Sequence, residues 1–214
     1  MHQVVILDYG INNVLSIQNA MKLLNVDTLL AKKPEDIENG EKIILPGVGS
    51  FEKGMHELAK KGFIDALINA KKKKKYILGI CLGMQLLMSS SSEFGAHTGL
   101  NFIKGKVEKI PRQISTEEVR KIPHIGWNTI NVNLKTNHKI LKNLINAEKN
   151  NHFYYFVHSY CALPENNQNI AAYSFYKKFK FPSIIINENL IGVQFHPERS
   201  GKRGLEFLSH FVGL

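Results

Sequence analysis

Residues 76–88 indicate the fold class, and they read Tyr76-Ile77-Leu78-Gly79-Ile80-Cys81-Leu82-Gly83-Met84-Gln85-Leu86-Leu87-Met88. The first five residues form a short, largely branched apolar run, which is typical of a buried strand in a parallel sheet. Residues 84–88 have a helical pattern, so a strand passes into a helix at Cys81. Glycines on both sides of Cys81 remove side chains that would clash in such a tight turn. The segment predicts an α/β fold in which Cys81 projects from the carboxyl end of a strand.

Strand and helix patterns alternate before this segment. Short apolar runs predict strands at Val4–Leu7, 27–31, Lys42–Leu45 and Tyr76–Ile80. Apolar residues at helical spacing predict one helix containing Val14, Ile17, Met21 and Leu24, and a second helix over residues 52–70. This alternation predicts a doubly wound, mostly parallel sheet flanked by helices, as in flavodoxin-like folds.

The second half of the chain predicts additional antiparallel strands. Their candidates are residues 104–110, Phe153–His158, Ile170–Tyr176, 183–186 and 191–195. Asn187-Glu188-Asn189 reads as a hairpin turn, residues 111–121 as a polar surface loop or insertion, and residues 204–211 as a final amphipathic helix. A chain of 214 residues with 43% hydrophobic content buries one substantial core, so we expect a single domain over residues 1–214.

The composition argues against several classes of protein. The N-terminus does not resemble a signal peptide, and the longest apolar run, residues 76–88, is shorter than the roughly 20 residues that a bilayer span needs. Two cysteines are too few for a disulfide framework, which indicates reduced thiols and a cytoplasmic protein. The net charge of +10 includes five lysines at 71–75, but they close a predicted helix and favour its negative end. We therefore expect no membrane partner and no nucleic-acid partner.

Cys81 is a candidate nucleophile. A lone buried cysteine is inert in most proteins, but this one occupies a turn of the nucleophile-elbow type. Unpaired amide groups and the dipole at a helix N-terminus both favour a thiolate. The second cysteine, Cys161, has no elbow and no neighbouring base in sequence, so we interpret it as a small buried side chain.

A base and a residue to orient it occur together in Gln194-Phe195-His196-Pro197-Glu198. In an extended backbone His196 and Glu198 project to the same side, and Pro197 disfavours a helical conformation at His196. Glu198 then accepts a hydrogen bond from the imidazole, as acyl transfer by a cysteine requires. The alternative is an ordinary surface turn.

Oxyanion stabilisation requires backbone amides directed at the developing charge. The strand Lys42–Leu45 leads into Pro46-Gly47-Val48-Gly49-Ser50-Phe51, a loop whose glycines permit close approach. Amides of Val48 or Gly49, together with that of Leu82, are the candidate donors. A plain tight turn explains the glycines equally well, and the loop lacks the pattern of a nucleotide phosphate loop.

Taken together, the motifs resemble those of the class I glutamine amidotransferases. The matching segments are Gly79-Ile80-Cys81-Leu82-Gly83-Met84-Gln85, Leu45-Pro46-Gly47-Val48-Gly49 and Gly192-Val193-Gln194-Phe195-His196-Pro197-Glu198. Asp8-Tyr9-Gly10, Pro123-His124-Ile125-Gly126-Trp127-Asn128 and Tyr155-Phe156-Val157-His158-Ser159-Tyr160 resemble, more narrowly, the HisH-type glutaminase subunit of imidazole glycerol phosphate synthase. The resemblance covers about residues 4–211.

The resemblance implies a reaction and a partner. Cys81 attacks the side-chain amide of glutamine, His196 moves the protons, and water releases glutamate from a thioester. The matching residues of the substrate pocket are Gln85, Glu93, Ser159 and Tyr160. Ammonia then passes to a HisF-type (β/α)₈ barrel, the cyclase subunit, for histidine biosynthesis. No metal or organic cofactor is implied.

The sequence departs from the family pattern at three places, which leaves alternative functions open. Asn12 stands where the family has glycine, and residues 89–95 and 111–121 look more like a paralogous branch that supplies ammonia to a sugar amidotransferase for surface glycans. A non-catalytic regulatory subunit and a cysteine hydrolase of peptides are further alternatives, although no triad residue is lost. Residues 123–128 favour the synthase glutaminases over the hydrolase. His124 and Trp127 line a partner interface or pack a hairpin, and His158 is interpreted as a hydrogen-bonded structural histidine.

Overall fold

The computed structural model describes residues 4–11, 13–133, 135, 138–141 and 153–214. The first half contains β1 Val4–Leu7, α1 Val14–Leu23, β2 Thr28–Ala31, β3 Lys42–Leu45, α2 Phe51–Lys60, α3 Phe63–Lys72, β4 Tyr76–Ile80 and α4 Leu82–Leu86. Asn12, where the sequence departs from the family pattern, lies outside the described residues.

Strands dominate the second half, as predicted. They are β5 Ser90–Ser91, β6 His97–Thr98, β7 Gly105–Lys109, β8 His124–Thr129, β9 Asn131–Val132, β10 Phe153–His158, β11 Tyr160–Pro164, β12 Ile170–Tyr176, β13 Phe179–Asn187 and β14 Leu190–Val193. The helix α5, Gly201–Val212, follows them. Short 3-10 helices occupy Pro34–Asn39, Asn167–Asn169 and Pro197–Arg199.

The main sheet has eight strands in the order β2-β1-β3-β4-β14-β13-β12-β9. The five strands from β2 to β14 are parallel, whereas β13, β12 and β9 add antiparallel pairings. Two smaller sheets have the orders β10-β8 and β11-β7-β5-β6. The predicted α/β class, with a mostly parallel sheet and antiparallel additions in the C-terminal half, is confirmed.

Helices cover both faces of the sheet because alternate side chains of each buried strand point to opposite faces. On one face, Val4 and Ile6 of β1 share a core with Ile17 of α1 and Phe207 of α5. On the other face, the core contains Val5 and Leu7 of β1 together with Phe51, Leu58, Phe63 and Leu67 of α2 and α3. This burial leaves the edge at the carboxyl ends of the parallel strands for loops, which is where a site is expected in such folds.

One predicted helix is two helices in the structure. The pattern over residues 52–70 predicted a single helix, but α2 ends at Lys60 and α3 begins at Phe63. Gly62 lies between them with φ +72°, a left-handed conformation that glycine adopts without steric cost. The apolar spacing continues across this break, so periodicity alone did not reveal it.

The structure also revises several strand bounds. Residues 183–186 lie inside the longer β13, and the predicted strand at residues 191–195 is β14, which ends at Val193. The Asn187-Glu188-Asn189 turn is confirmed, since Asn187 pairs with Leu190 across it. Residues 111–121 contain no strand or helix, only one isolated bridge between Gln113 and Val119.

Candidate active site

Cys81 occupies the turn between β4 and α4 in a strained backbone conformation. Its φ is 54° and its ψ is −107°, outside the regions that side chains other than glycine ordinarily adopt. Its N–H donates to the Val193 carbonyl at 2.8 Å, which ties the turn to the end of β14. Glycine is required on both sides, because a Cβ at Gly79 would lie 2.6 Å from the Gly83 oxygen and one at Gly83 would overlap the Leu45 oxygen.

His196 and Glu198 form the contact that the sequence predicts. His196 Nδ1 lies 2.8 Å from Glu198 Oε1, and the two side chains are 4% and 1% exposed. The route differs from the prediction, because only His196 is extended and Pro197–Arg199 is a turn of 3-10 helix. The backbone of His196 is held at both ends, by its N–H to the Tyr155 carbonyl and by the Ser200 hydroxyl, which donates to the His196 carbonyl.

The charge of His196 depends on its neighbours. Burial by itself lowers the pKa of His196, but the negative charge of Cys81 and the hydrogen-bonded Glu198 carboxylate outweigh it and raise this pKa to about 10. Nδ1 faces Glu198, while Nε2 is buried with no hydrogen-bond partner among the described residues. The environment therefore favours an imidazolium whose free N–H is available to a group beside Cys81.

A cavity of about 380 Å³ brings the predicted site together. Its lining includes every predicted site residue except Glu198, namely Val48, Gly49, Cys81, Leu82, Gln85, Glu93, Ser159, Tyr160 and His196. Glu198 contacts His196 and does not line the cavity itself. The volume falls in the range typical of small-molecule sites.

The candidate oxyanion donors lie in the loop after β3 and at the start of α4, and their backbone amides have different surroundings. Leu82 is the first residue of α4, where amides have no partner within the helix. Gly49, with φ +102°, lines the cavity beside it. The Val48 N–H instead donates to the Ile11 carbonyl at 3.3 Å, so in this conformation its hydrogen is engaged by the loop after β1.

Tyr9 holds the loop that follows β3 in place by a hydrogen bond. Its hydroxyl donates to the Pro46 carbonyl at 2.6 Å, and burial followed by the nearby Cys81 charge raises the pKa of Tyr9 far above its usual value. A Cβ at Gly47 would lie 2.7 Å from the Tyr9 oxygen. Glycine at this position therefore lets the loop pack against Tyr9, a support that the sequence motif Asp8-Tyr9-Gly10 did not predict.

The predicted substrate residues are already held by the protein. Gln85 Nε2 donates to the Tyr160 carbonyl at 3.0 Å. Glu93 Oε2 accepts from the Phe51 N–H at 2.7 Å, at the N-terminus of α2. Burial raises the pKa of Glu93, although the Phe51 hydrogen bond opposes this shift. Both side chains are thus fixed on the cavity wall.

Several residues that the sequence analysis did not place at the site lie there in the structure. Pro123, Val157 and His158 also line the cavity, and Gln194 lies behind it with Nε2 3.7 Å from Cys81 Sγ. Gln194 and His158 stand inside motifs quoted for the family resemblance, which was the available signal. His158 is confirmed as hydrogen-bonded, because its Nδ1 donates to the Tyr160 carbonyl at 2.8 Å.

The other singled-out residues lie away from the cavity. Cys161 is buried as predicted, and its burial together with the Glu108 charge raises the pKa of its thiol to about 12. Lys75 is buried, with Nζ donating to the carbonyls of Ile37, Glu38 and Gly40. No cluster of three or more metal-ligating side chains occurs in the described ranges, and no helix in them is long and apolar enough to span a membrane.

Solved structures share the fold of this chain. A structure titled "Crystal structure of glutamine amidotransferase" matches with a TM-score of 0.71 and 15% identity, covering 98% of this chain and 99% of the other. The structure of PurLQS from Thermotoga maritima also matches with a TM-score of 0.71, at 17% identity and with 98% and 97% of the two chains covered. The fold is that of glutamine amidotransferases.

Sequence comparison places the chain more narrowly. The family "Glutamine amidotransferase class-I" matches residues 5–213. "Imidazole glycerol phosphate synthase subunit HisH 1" of Legionella pneumophila (strain Lens) is 40% identical over 218 residues, with both chains fully covered. The HisH subunit of Sulfurimonas denitrificans is 39% identical over 98% of this chain and 97% of its own. The chain belongs to the class I glutamine amidotransferase family, among its HisH-type members.

Proposed function

We propose that this chain is the glutaminase subunit of imidazole glycerol phosphate synthase, with Cys81, His196 and Glu198 as its catalytic triad. One observation carries the proposal. The strained Cys81 elbow and His196, far apart in sequence, meet at one cavity of about 380 Å³ that is large enough for an amino acid, and buried Glu198 holds the His196 ring from behind. Family membership supplies the reaction class.

In the first half of the reaction, the Cys81 thiolate attacks the side-chain amide carbon of glutamine. The amide oxygen becomes an oxyanion, for which the amides of Leu82 and Gly49 are the proposed donors. Val48 adds a third donor only if its N–H leaves Ile11. His196 then gives its Nε2 proton to the departing nitrogen, so the carbon–nitrogen bond breaks, ammonia leaves and a thioester remains.

In the second half, a water molecule attacks the thioester. His196, now neutral, takes the proton from this water, and the carbon–sulfur bond breaks to release glutamate and restore the thiolate. Glu198 holds the imidazole in one orientation through both steps. Gln85, Glu93 and the backbone at Ser159 and Tyr160 bind the amino-acid end of the substrate.

For the ammonia, we propose a HisF-type (β/α)₈ barrel cyclase as the acceptor subunit, acting in histidine biosynthesis. Two relatives support this acceptor, because each is named as a HisH subunit of imidazole glycerol phosphate synthase. On β8, Ile125 and Trp127 are 59% and 56% exposed, an apolar surface of the kind that contacts another protein. β8 follows Pro123 of the cavity wall, so the two sites adjoin.

Reconstitution with a purified cyclase barrel tests this proposal. We expect Cys81→Ala to abolish glutamine-dependent synthesis and to leave ammonium-dependent synthesis intact, while Cys161→Ala, the matched control, retains both. Glutaminase activity that persists in Cys81→Ala would refute the assigned nucleophile. Stimulation by a sugar amidotransferase and not by the cyclase would instead identify the paralogous acceptor. An intact triad without any turnover would support a regulatory subunit.

We further propose that residues 1–214 form one domain that works in the cytoplasm. The main sheet draws strands from both halves of the chain, with β14 paired to β4, which supports a single folding unit. One cooperative unfolding transition, seen alike by far-ultraviolet circular dichroism and Trp127 fluorescence, is the expected result. Two separate transitions would contradict it.

A further inference from the structure

A chain of hydrogen bonds begins at β8 and leads inward to the cavity wall. Asn128 Nδ2 lies 3.4 Å from His124 Nε2, and His124 Nδ1 lies 3.0 Å from His158 Nε2. His158 Nδ1 then lies 2.8 Å from the Tyr160 carbonyl oxygen. Both histidines are buried, with 3% and 5% of their surface exposed.

The acceptor at the inner end fixes the direction of every bond. A carbonyl oxygen only accepts, so His158 carries its proton on Nδ1 and leaves Nε2 as an acceptor. His124 must therefore donate from Nδ1, and its own Nε2 accepts from the Asn128 amide. Each ring is held as one neutral tautomer, and burial first of all lowers the pKa of both histidines, to about 3 for His158 and about 4 for His124.

The same carbonyl connects this pair to the nucleophile. Gln85 Nε2 donates to the Tyr160 oxygen at 3.0 Å and to Gln194 Oε1 at 3.2 Å, which uses both of its amide hydrogens. Gln194 therefore accepts through Oε1, so its Nε2 faces Cys81 Sγ at 3.7 Å. The chain of contacts is continuous from Asn128 to the sulfur.

We propose that His124 and His158 are positioning residues that hold the Gln194 amide against the Cys81 sulfur through Tyr160 and Gln85. The inference rests on the proposed role of Cys81 as the nucleophile. Neither histidine gives up a proton in the reaction. Their part is to fix the Tyr160 carbonyl, so that Gln85 and Gln194 keep one orientation and a donor always faces the thiolate.

Two variants of His158 separate this role from simple packing. Asparagine and leucine have nearly the same shape, but only asparagine places an N–H near the position of Nδ1. The measurement is the rate at which iodoacetamide alkylates Cys81 in the full chain at neutral pH. Cys161 contributes little background, because it is buried and its pKa is raised.

We expect His158→Leu to alkylate about tenfold more slowly at neutral pH, because the Gln194 donor is no longer held against the Cys81 sulfur. His158→Asn should stay within about twofold of the unmodified chain, since its amide still donates to Tyr160. Equal rates in the two variants would overturn the proposal. Alkylation needs no glutamine, so an unreactive Cys81 in the unmodified chain would instead count against the proposed function.

A second variant guards against misfolding at the buried His158. Gln194→Met keeps the length of the side chain and removes the donor to Cys81, so we expect the same slow alkylation. Both residues act through the same series of hydrogen bonds. The double variant His158→Leu with Gln194→Met should therefore be alkylated no more slowly than Gln194→Met alone. If the two decreases in alkylation rate multiply in the double variant, the residues act independently and the proposed hydrogen-bond connection is refuted.

Discussion

The Nδ1 atom of His196 lies 2.8 Å from Oε1 of Glu198, and both side chains are buried, with 4% and 1% of their surface exposed. Glu198 is one of the groups that raise the pKa of His196. We predict that Glu198→Gln lowers glutaminase kcat by a factor on the order of 10² to 10⁴, because the imidazole loses its orientation and its charge partner. The pH profile of kcat should shift toward lower pH as well. Steady-state kinetics with the cyclase present tests both effects, and Glu206→Gln on α5 is the control.

The contact between Gly83 and Leu45 gives a second prediction. A Cβ at Gly83 would overlap the Leu45 carbonyl oxygen, so Gly83→Ala must push α4 away from β3. We expect a loss of about 1–3 kcal/mol in the free energy of unfolding, together with loss of glutaminase activity. Gly213→Ala is the matched control, because a Cβ there meets its nearest atom at an ordinary 3.5 Å. Urea denaturation of the two variants measures the difference, and equal stability would contradict the tight contact.

Because His158 is buried, we predict that the free energy of unfolding depends on pH. Burial first, and the charges of His124 and His196 after it, lower the pKa of His158 from 6.5 to about 3. Between these values the unfolded chain binds a proton that the folded chain does not. The free energy of unfolding should therefore fall as the pH falls below about 6.5, by up to about 1.4 kcal/mol per pH unit from this group.

Urea denaturation at several pH values from 7 to 4 checks this prediction. His158→Leu removes the titrating group, so its unfolding free energy should depend less steeply on pH over the same interval. Equal slopes in the two proteins would show that His158 is not kept neutral by the fold.

Lys75, the last residue of the lysine run, is expected to stabilise the fold. Its Nζ donates to three carbonyl oxygens, at 3.1, 3.2 and 2.8 Å, and the side chain is buried. Lys75→Met leaves these carbonyls without their donor, and we expect a loss of about 2–4 kcal/mol in unfolding free energy. Lys72→Met, at an exposed position of the same run, should change stability by less than about 0.5 kcal/mol. Thermal and urea unfolding distinguish the two variants.

Local features of the site were predictable because they depend on neighbours in sequence. The elbow follows from glycines within two residues of Cys81, and the contact between His196 and Glu198 spans only two residues. The break between α2 and α3 was not predictable in the same way. The apolar spacing continues through Gly62, and only packing in the fold shows that the chain turns there.

The sequence by itself thus determined the α/β class, the elbow at Cys81 and the pairing of a base with a carboxylate, because each follows from short-range sterics and periodicity. The tertiary structure alone decided that these parts meet. β4 and β14 are adjacent, Ile80 lies opposite Val193, and this register brings His196 to the cavity beside Cys81. It also decided that the Val48 amide faces Ile11 and that Asn128 connects to the nucleophile through two histidines. These contacts join residues distant in sequence, so they depend on strand register and packing, which no local pattern encodes.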